Sequence, residues 1–278
     1  MFLAALKVEL AKLVRQRGVL VGLGVLALLV GLFAWGTWNF PGPHLPGTAG
    51  GEFIVGGKLK TAALLSYMLL RFPLAFEVLL PLLIATVAGG LLAGERHLGT
   101  LRTLLTRPVS RPALYLAKLM VAWLHATALA LFLGAFSLGL GFAIFGGGDL
   151  LPVSSGSLTI LVQKTALLRL LEGYLLAAAA MTAVASLGLF FSSLCDNPLT
   201  AAGLTVAFLL VSGALTVLPY FESWRPHLLT THLSLGGQVF RVPIPWPEVL
   251  RSLEYLAGYS AMFALLGGLI FWRRDVLC

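Results

Sequence analysis

The sequence predicts an all-α integral membrane protein with six transmembrane helices, on three observations. First, 59% of the 278 residues are hydrophobic and only 11% are charged, whereas soluble domains carry charge on about a quarter of their residues. Second, several apolar stretches reach the roughly 20 residues that a helix needs to cross the hydrocarbon layer. Third, the basic residues lie mainly at the ends of these stretches. Basic residues there act as topology signals, so the net charge of +8 predicts no nucleic-acid partner.

Residues 1–17 predict an amphipathic helix at the membrane surface. Apolar side chains recur at helical spacing along one arc from Phe2 to Val14, and Lys7, Lys12 and Arg15 lie away from that arc. Basic side chains in such a helix favour anionic lipid headgroups, so we expect all three to face the cytoplasmic leaflet. An extension of the first span would produce much of the same pattern, and the sequence leaves that alternative open.

Six transmembrane spans are expected after this helix. They cover residues 18–38, 72–93, 113–145, 165–191, 199–218 and 253–272. An apolar piece at 59–70 is too short to cross the membrane, and we expect it to pack at the surface as a helix. Residues 219–250 contain five prolines and predict an irregular external segment. Such a segment can re-enter the bundle where other helices cover it.

The distribution of basic residues predicts the orientation. Eleven of the 19 lysines and arginines fall on the side that holds both chain ends, and the positive-inside bias places that side in the cytoplasm. We therefore expect a multi-pass protein of the cell (inner) membrane with cytoplasmic N- and C-termini. Cys195 and Cys278 fall on an inner loop and at the last position, a placement that suggests neither a disulfide nor a metal site.

The segment between spans two and three, residues 94–112, is the most informative part of the chain. Its sequence is GERHLGTLRTLLTRPVSRP, in which the leucines fall on one helical face and Pro108 ends the pattern. A short amphipathic helix here could simply cap the bundle. Alternatively it is a rigid cytoplasmic segment on which another protein acts, since packed helices shift as units.

These residues also resemble a known family. The run is similar to the E-R-x-x-G-T-L-x-x-L-L-x-x-P-V-S-R…K signature of ABC-2 type transporter permeases. The matching positions are Glu95, Arg96, Gly99, Thr100, Leu101, Leu104, Leu105, Pro108, Val109, Ser110, Arg111 and Lys118. The basic amphipathic start and the ending from Phe271 to Asp275 are similar to the termini of that family. The central motif is shared widely in the superfamily, so it indicates the transport machine and not its cargo.

The resemblance implies the permease subunit of an ATP-driven transporter, an exporter, that works as a pair of copies. A homodimer is expected, with a heterodimer as the alternative, and an ABC ATP-binding subunit carrying ATP and Mg²⁺ lies under each half. Residues 95–106 would then be the coupling helix, and residues 1–17 the elbow helix. The residues expected to couple to the ATPase are Glu95, Arg96, Gly99, Thr100, Leu101, Leu104, Leu105, Pro108 and Arg111. The sequence itself has no G-x-x-x-x-G-K-[ST] phosphate loop, so we expect no nucleotide or other cofactor on this chain.

Three ionisable residues fall at membrane depth. Glu77, His125 and Glu172 are costly to expose to lipid, so each should face protein or water. Glu172 also follows Arg169 at a spacing that allows an ion pair on one helix. We expect neither a catalytic nor a metal site among these residues, and a packing role is the simpler interpretation for each.

Two other functions stay open. One is a permease-like subunit that transmits ATP-driven motion to an extracytoplasmic partner, similar to the permeases that act in maturation of the metalloenzyme nitrous-oxide reductase. The other is a membrane-embedded enzyme, which would need a catalytic set at one depth. His125 has no Ser or Asp neighbour in an elbow motif, and no H-E-x-x-H occurs. The sequence therefore favours a protein that is moved by a partner over one that carries out bond chemistry.

Overall fold

The computed structural model describes residues 2–39, 60–100, 110–150, 153–154, 157–158 and 161–274. Within these ranges, six helices are long and apolar enough to cross a membrane. They are Arg17–Asn39, Leu74–His97, Arg111–Ile144, Gln163–Leu194, Pro198–Val217 and Trp246–Arg273. The predicted all-α membrane fold with six spans is therefore confirmed.

The elements follow one another in a simple order. The helices are α1 Phe2–Arg15, α2 Arg17–Asn39, α3 Ala62–Leu70, α4 Leu80–His97, α5 Arg111–Ile144, α6 Gln163–Leu194, α7 Pro198–Val217 and α8 Trp246–Arg273. A π-helical turn, Leu74–Leu79, precedes α4, and the two-residue strands Val153–Ser154 and Ser157–Leu158 form a small hairpin before α6. Helices α7 and α8 are connected by three 3₁₀ turns, Pro219–His227, Leu229–His232 and Leu235–Phe240.

Helix α6 lies at the centre of the bundle, packed against α4, α5, α7 and α8. Small residues make this possible because helices in a membrane associate by close packing. A Cβ atom on Gly188 of α6 would lie 2.9 Å from the Cβ atom of Ala88 on α4. On the neighbouring helix, a Cβ atom on Gly134 of α5 would lie 2.7 Å from the ring of Tyr174. Larger side chains at these positions would force the helices apart.

Helix α3 lies inside the bundle, which corrects the expectation that residues 59–70 pack at the surface. Seven of its nine residues are buried, because it is apolar on every face and has no side to present to water. Gly141 of α5 permits the approach, since a Cβ atom there would lie 2.8 Å from the Cα atom of Ala62. Ser66 provides a polar anchor, accepting hydrogen bonds from Ser137 at 2.9 Å and, at its carbonyl, from Tyr174 at 3.0 Å.

The last 3₁₀ turn before α8, Leu235–Phe240, is also buried and packs against α6. Two glycines meet at this contact. A Cβ atom on Gly236 would lie 2.5 Å from the carbonyl oxygen of Gly173, and one on Gly173 would lie 2.8 Å from the carbonyl oxygen of Gly236. The turn can therefore sit this close to α6 only because both positions lack a side chain.

Substitution of Gly236 tests this contact. We expect Gly236→Ala to lower the stability of the purified protein by about 1–3 kcal/mol, the usual cost of overpacking a core. Gly237→Ala is the matched control, since a Cβ atom there would meet only the flexible side chain of Arg71, at 3.6 Å. Thermal unfolding in detergent, followed by circular dichroism, measures both. Equal midpoints for the two variants would contradict the close contact.

Helix α1, the end of α8 and the described parts of the 94–112 segment, residues 94–100 and 110–112, lie at the same end of the bundle. Lys12 near the N-terminus contacts Glu95, and Arg111 contacts the backbone of Trp272 and Arg274 near the C-terminus. We call this the motif end, and the opposite end, where the 3₁₀ turns lie, the distal end.

Candidate functional site

Four charged side chains meet at the motif end and join α1, α4 and α5. The Nζ atom of Lys118 is fully buried and lies 3.0 Å from Oε2 of Glu9 and 2.8 Å from Oε2 of Glu95. The Nζ atom of Lys12 lies 2.7 Å from Oε1 of Glu9 and 2.9 Å from Oε1 of Glu95. Each lysine thus contacts both carboxylates, and the four charges balance. We call these four residues the charge cluster.

Two members of the charge cluster, Glu9 and Lys12 on α1, have pKa values shifted in the direction that favours their charged forms. Burial favours a raised pKa for the Glu9 carboxyl, but Lys118 and Lys12 outweigh it, and the pKa falls below the ordinary value of 4.5. Burial likewise opposes the charge of Lys12, but its hydrogen bonds to Glu9 and Glu95 raise its pKa above 10.5. Glu9 therefore stabilises the fold above about pH 4.5 and loses this effect as pH falls through its lowered pKa. Lys12 stabilises the fold below about pH 10.5, and this stabilisation is lost as pH rises through its raised pKa.

Helix α1 is held on the bundle by apolar contacts as well as by charge. The helix is interrupted at Gln16, so α1 is an element separate from α2. Leu13 packs in a small core with Val87 of α4 and Val121 of α5. Lys12, which the sequence placed toward lipid headgroups, is instead bonded to Glu9 and Glu95, because these carboxylates come within its reach when α1 docks. Lys7 and Arg15 are exposed.

Arg96 connects the end of α4 to the turn between α6 and α7. Its Nη1 donates to the carbonyl of Cys195 at 2.9 Å and its Nη2 to that of Ser193 at 2.8 Å. The carbonyls that end a helix have no partner in the helix itself, and they carry the negative end of its dipole, so a guanidinium suits this place. Arg274, which follows α8, reaches the same turn and donates to both carboxylate oxygens of Asp196 at 2.9 Å.

Ser192 of α6 makes a second polar contact with α4, one turn before the motif. Its hydroxyl donates to the carbonyl of Gly89 at 2.6 Å and accepts from the amides of Leu92 and Ala93 at 3.0 and 2.9 Å. All of these groups are buried, so the contact is shielded from competing water. The end of α4 is therefore joined to α6 by Ser192 and Arg96, and to α1 and α5 by Glu95.

Comparison with known proteins identifies the family. A family model described as "ABC-2 family transporter protein" matches residues 5–212. The chain belongs to the ABC-2 transporter family. This ABC-2 permease is also similar to the uncharacterized protein YhcI of Bacillus subtilis, with 29% identity over 210 residues. That match covers 72% of the permease and 66% of the length of YhcI, just under two thirds.

The structure describes five of the nine coupling residues predicted for the permease. Glu95 and Arg96 make the contacts given above, and Arg111 donates to the carbonyls of Trp272 and Arg274 at 3.3 and 3.4 Å. Gly99 has a φ of +69°, which suits glycine just after a helix end, and the Thr100 hydroxyl donates to the carbonyl of Glu95 at 3.3 Å. Leu101, Leu104, Leu105 and Pro108 lie outside the described residues.

The three polar residues at membrane depth have different surroundings in the permease. His125 is buried, and its Nε2 atom has no hydrogen-bond partner among the described residues. Glu77 and Glu172 are exposed on the single chain. Arg169 donates to the carbonyl of Val239 at 3.2 Å, and within the described ranges no ion pair joins it to Glu172. The Arg169–Glu172 ion pair that the helical spacing allowed does not form, because the Arg169 guanidinium donates to a buried carbonyl instead.

Glu9 is the functional candidate that sequence reasoning missed. It stands at helical spacing from Leu6 and Leu13, on the apolar arc of α1. A carboxylate on an apolar face needs a buried cation, and Lys118 lies well inside the apolar run of span three. The position of these two charges in apolar stretches was the signal from which the charge cluster could have been predicted.

Proposed function

We propose that this permease is the membrane subunit of an ATP-driven exporter, moved by a separate ABC ATP-binding subunit that binds residues 94–112. ATP and Mg²⁺ belong to that partner. The motif end then faces the cytoplasm of the cell (inner) membrane, with both termini on that side. The observation that supports this most strongly is the contact of Glu95 and Arg96 with three other helices.

The contacts of α4 support a mechanical role for the segment. Glu95 accepts a hydrogen bond from Lys12 of α1 and forms an ion pair with Lys118 of α5, and the next residue, Arg96, donates to carbonyls at the end of α6. A displacement of the segment by a partner would therefore act on α1, α4, α5 and α6 together. The charged hydrogen bonds between these helices, at 2.8–3.0 Å, are short and strong, so a displacement of the segment pulls on each of them.

The functional unit on this proposal contains two copies of the permease. Glu77 and Glu172 are exposed on a single chain although both lie in candidate spans. A carboxylate facing lipid at such depth is costly. A second copy, or a water-filled path between two copies, would remove that cost, and a homodimer is the simplest arrangement.

Leu98 offers a direct test of the ATPase contact. It is 74% exposed at the motif end and stands inside the segment, so Leu98→Asp should leave the fold intact. When the two proteins are expressed together, we expect much less ATP-binding subunit to co-purify with this variant. The aspartate would place an unpaired charge in an apolar contact.

The control for this test is Leu199→Asp. Leu199 is 79% exposed at the start of α7, next to the turn that Arg96 contacts, but it is outside the 94–112 segment. Co-purification should stay near the unmodified level. If Leu98→Asp retained the ATPase as well as Leu199→Asp did, the segment would not be the docking site, and the proposed function would lose its basis.

A further inference from the structure

An open groove of about 380 Å³ runs along α8 at the distal end. It is lined by Arg251, Glu254, Tyr255, Gly258, Tyr259 and Met262. These positions share one face of the helix because they are three or four residues apart. The groove therefore begins with opposite charges, continues over aromatic rings and ends on an apolar side chain.

Among the described residues, the two charges of the groove have no ion-pair partners. Arg251 and Glu254 lie one helical turn apart, yet neither is within ion-pair distance of an opposite charge in the part of the chain that the structure describes. The guanidinium of Arg251 lies over the ring of Tyr255, 5.9 Å from its centroid. A cation and an anion are thus presented side by side, both available to a ligand.

The aromatic wall of the groove is held in place from behind. The hydroxyl of Tyr255 is hydrogen-bonded to Nδ1 of His227 at 3.0 Å, and its ring stacks on that of His232 with centroids 4.9 Å apart. The hydroxyl of Tyr259 donates to the carbonyl of His227. His232 is itself hydrogen-bonded to Ser252 at 3.0 Å. The wall is therefore pre-organised, which reduces the entropy lost when a ligand binds.

The position of the groove along α8 identifies the kind of ligand. Trp246 begins the helix, and tryptophan is typical of the membrane–water boundary. The predicted sixth span begins at residue 253, so Arg251 lies just before it. At 1.5 Å per residue, Met262 lies about 14 Å inside this span, near the centre of a hydrocarbon layer roughly 30 Å thick. Below Met262 the same face stays apolar and exposed at Leu265, Leu266 and Leu269. The charges thus lie near headgroup depth, and the apolar part extends along the acyl chains.

We propose that this groove binds a zwitterionic phospholipid of the distal leaflet, with its phosphate at Arg251 and its ammonium group at Glu254. The ring faces of Tyr255 and Tyr259 add favourable contacts for the ammonium group. One acyl chain follows Tyr259 and Met262 toward the centre of the bilayer. Both charges of the headgroup meet their opposites, which a singly anionic headgroup cannot achieve. The site is independent of the ATP-binding subunit, so it can be tested whether or not the proposed function holds.

The lipid selectivity of the permease tests this proposal. The full-length permease is placed in nanodiscs that contain equal amounts of phosphatidylethanolamine and phosphatidylglycerol, and the lipids retained on release are identified by native mass spectrometry. We expect phosphatidylethanolamine to be enriched about twofold to fivefold, as exposed charge pairs allow. Glu254→Gln should reverse the preference toward phosphatidylglycerol, because Arg251 then remains without the carboxylate that repels an anionic headgroup. Arg251→Gln should lower the retention of both lipids.

Glu248→Gln is the matched control. Glu248 is a carboxylate on the same helix, outside the groove, and lies 3.5 Å from Arg241. Its loss should leave the preference unchanged. An unselective unmodified protein, or a Glu254→Gln variant with the original preference, would overturn the proposal.

A second copy of the chain is the competing occupant of this face. Gly258→Cys, on a background with Cys195 and Cys278 replaced by serine, tests it, because a side chain at Gly258 meets no atom within 4 Å. If the lipid occupies the groove, copper-phenanthroline should give no disulfide-linked dimer. An efficient cross-link at this position would show that another copy covers the groove, and the lipid site would be abandoned.

Discussion

Lys118→Met is expected to destabilise the permease by about 3–5 kcal/mol, the usual cost of removing one partner from a buried ion pair. Without Lys118, Glu9 keeps only Lys12 although its side chain is 3% exposed. Methionine has nearly the same length, so the effect comes from charge and not from a cavity. Equilibrium unfolding of the purified protein in mixed micelles, followed by circular dichroism, gives the change in free energy. Accelerated proteolysis at α1 should accompany it.

Two further variants isolate the charge effect. Lys7→Met removes a lysine from the same region of α1, where the side chain is exposed, and should change stability by less than about 0.5 kcal/mol. The double variant Glu9→Gln with Lys118→Met leaves Lys12 and Glu95 as a pair and should recover part of the loss. If the double variant were as unstable as the sum of its single substitutions, the four residues would not act as one cluster.

Arg96→Met is expected to weaken the connection between the 94–112 segment and α6, which then depends on Ser192 alone among the contacts described above. Two charged hydrogen bonds to the carbonyls of Ser193 and Cys195 are lost, each worth about 1.5–3 kcal/mol when measured alone. Arg274 still contacts the same turn, so the fold should persist. In the complex with the ATP-binding subunit, we expect binding and ATP hydrolysis to continue while the response of the distal end to ATP disappears.

That response can be followed without knowing the transported substrate. Tyr220→Cys places a label at an exposed distal position, on a background without Cys195 and Cys278, and its modification rate is compared with and without ATP. Arg273→Met is the control, since Arg273 is exposed at the motif end and lies outside the 94–112 segment. A nucleotide-dependent rate that survived in Arg96→Met, as it should in Arg273→Met, would show that motion reaches the distal end by another route.

The membrane spans could be predicted because their cause is local. A stretch such as Arg17–Asn39 is apolar along its whole length and ends at Trp35 and Trp38, so its own residues determine that it is a helix in lipid. The family motif is local in the same way, since Glu95 to Arg111 is one continuous run. The all-α membrane fold and the family were therefore within reach of the sequence.

The contacts that assemble the site could not be predicted, because their partners are far apart along the chain. Lys118 and Glu9 are separated by 109 positions. Each stands out as a charge in an apolar stretch, but no sequence pattern pairs these two residues with each other. Arg96 binds backbone carbonyls, which every residue possesses and no sequence pattern distinguishes. The burial of α3 had a similar origin, since a nine-residue apolar helix is equally consistent with a surface position until Gly141 and Tyr174 surround it.

The hydroxyl of Ser192 is an additional hydrogen-bond partner for backbone groups at the inner end of α4. In the present arrangement the amides of Leu92 and Ala93 donate to this hydroxyl, which in turn donates to the Gly89 carbonyl. If α4 and α6 part, the same amides can still bond to the carbonyls of Ala88 and Gly89 within their own helix. No buried backbone group would then be left unsatisfied during the movement. A single serine therefore lets the inner ends of α4 and α6 separate at low energetic cost, directly before the segment on which the partner would act.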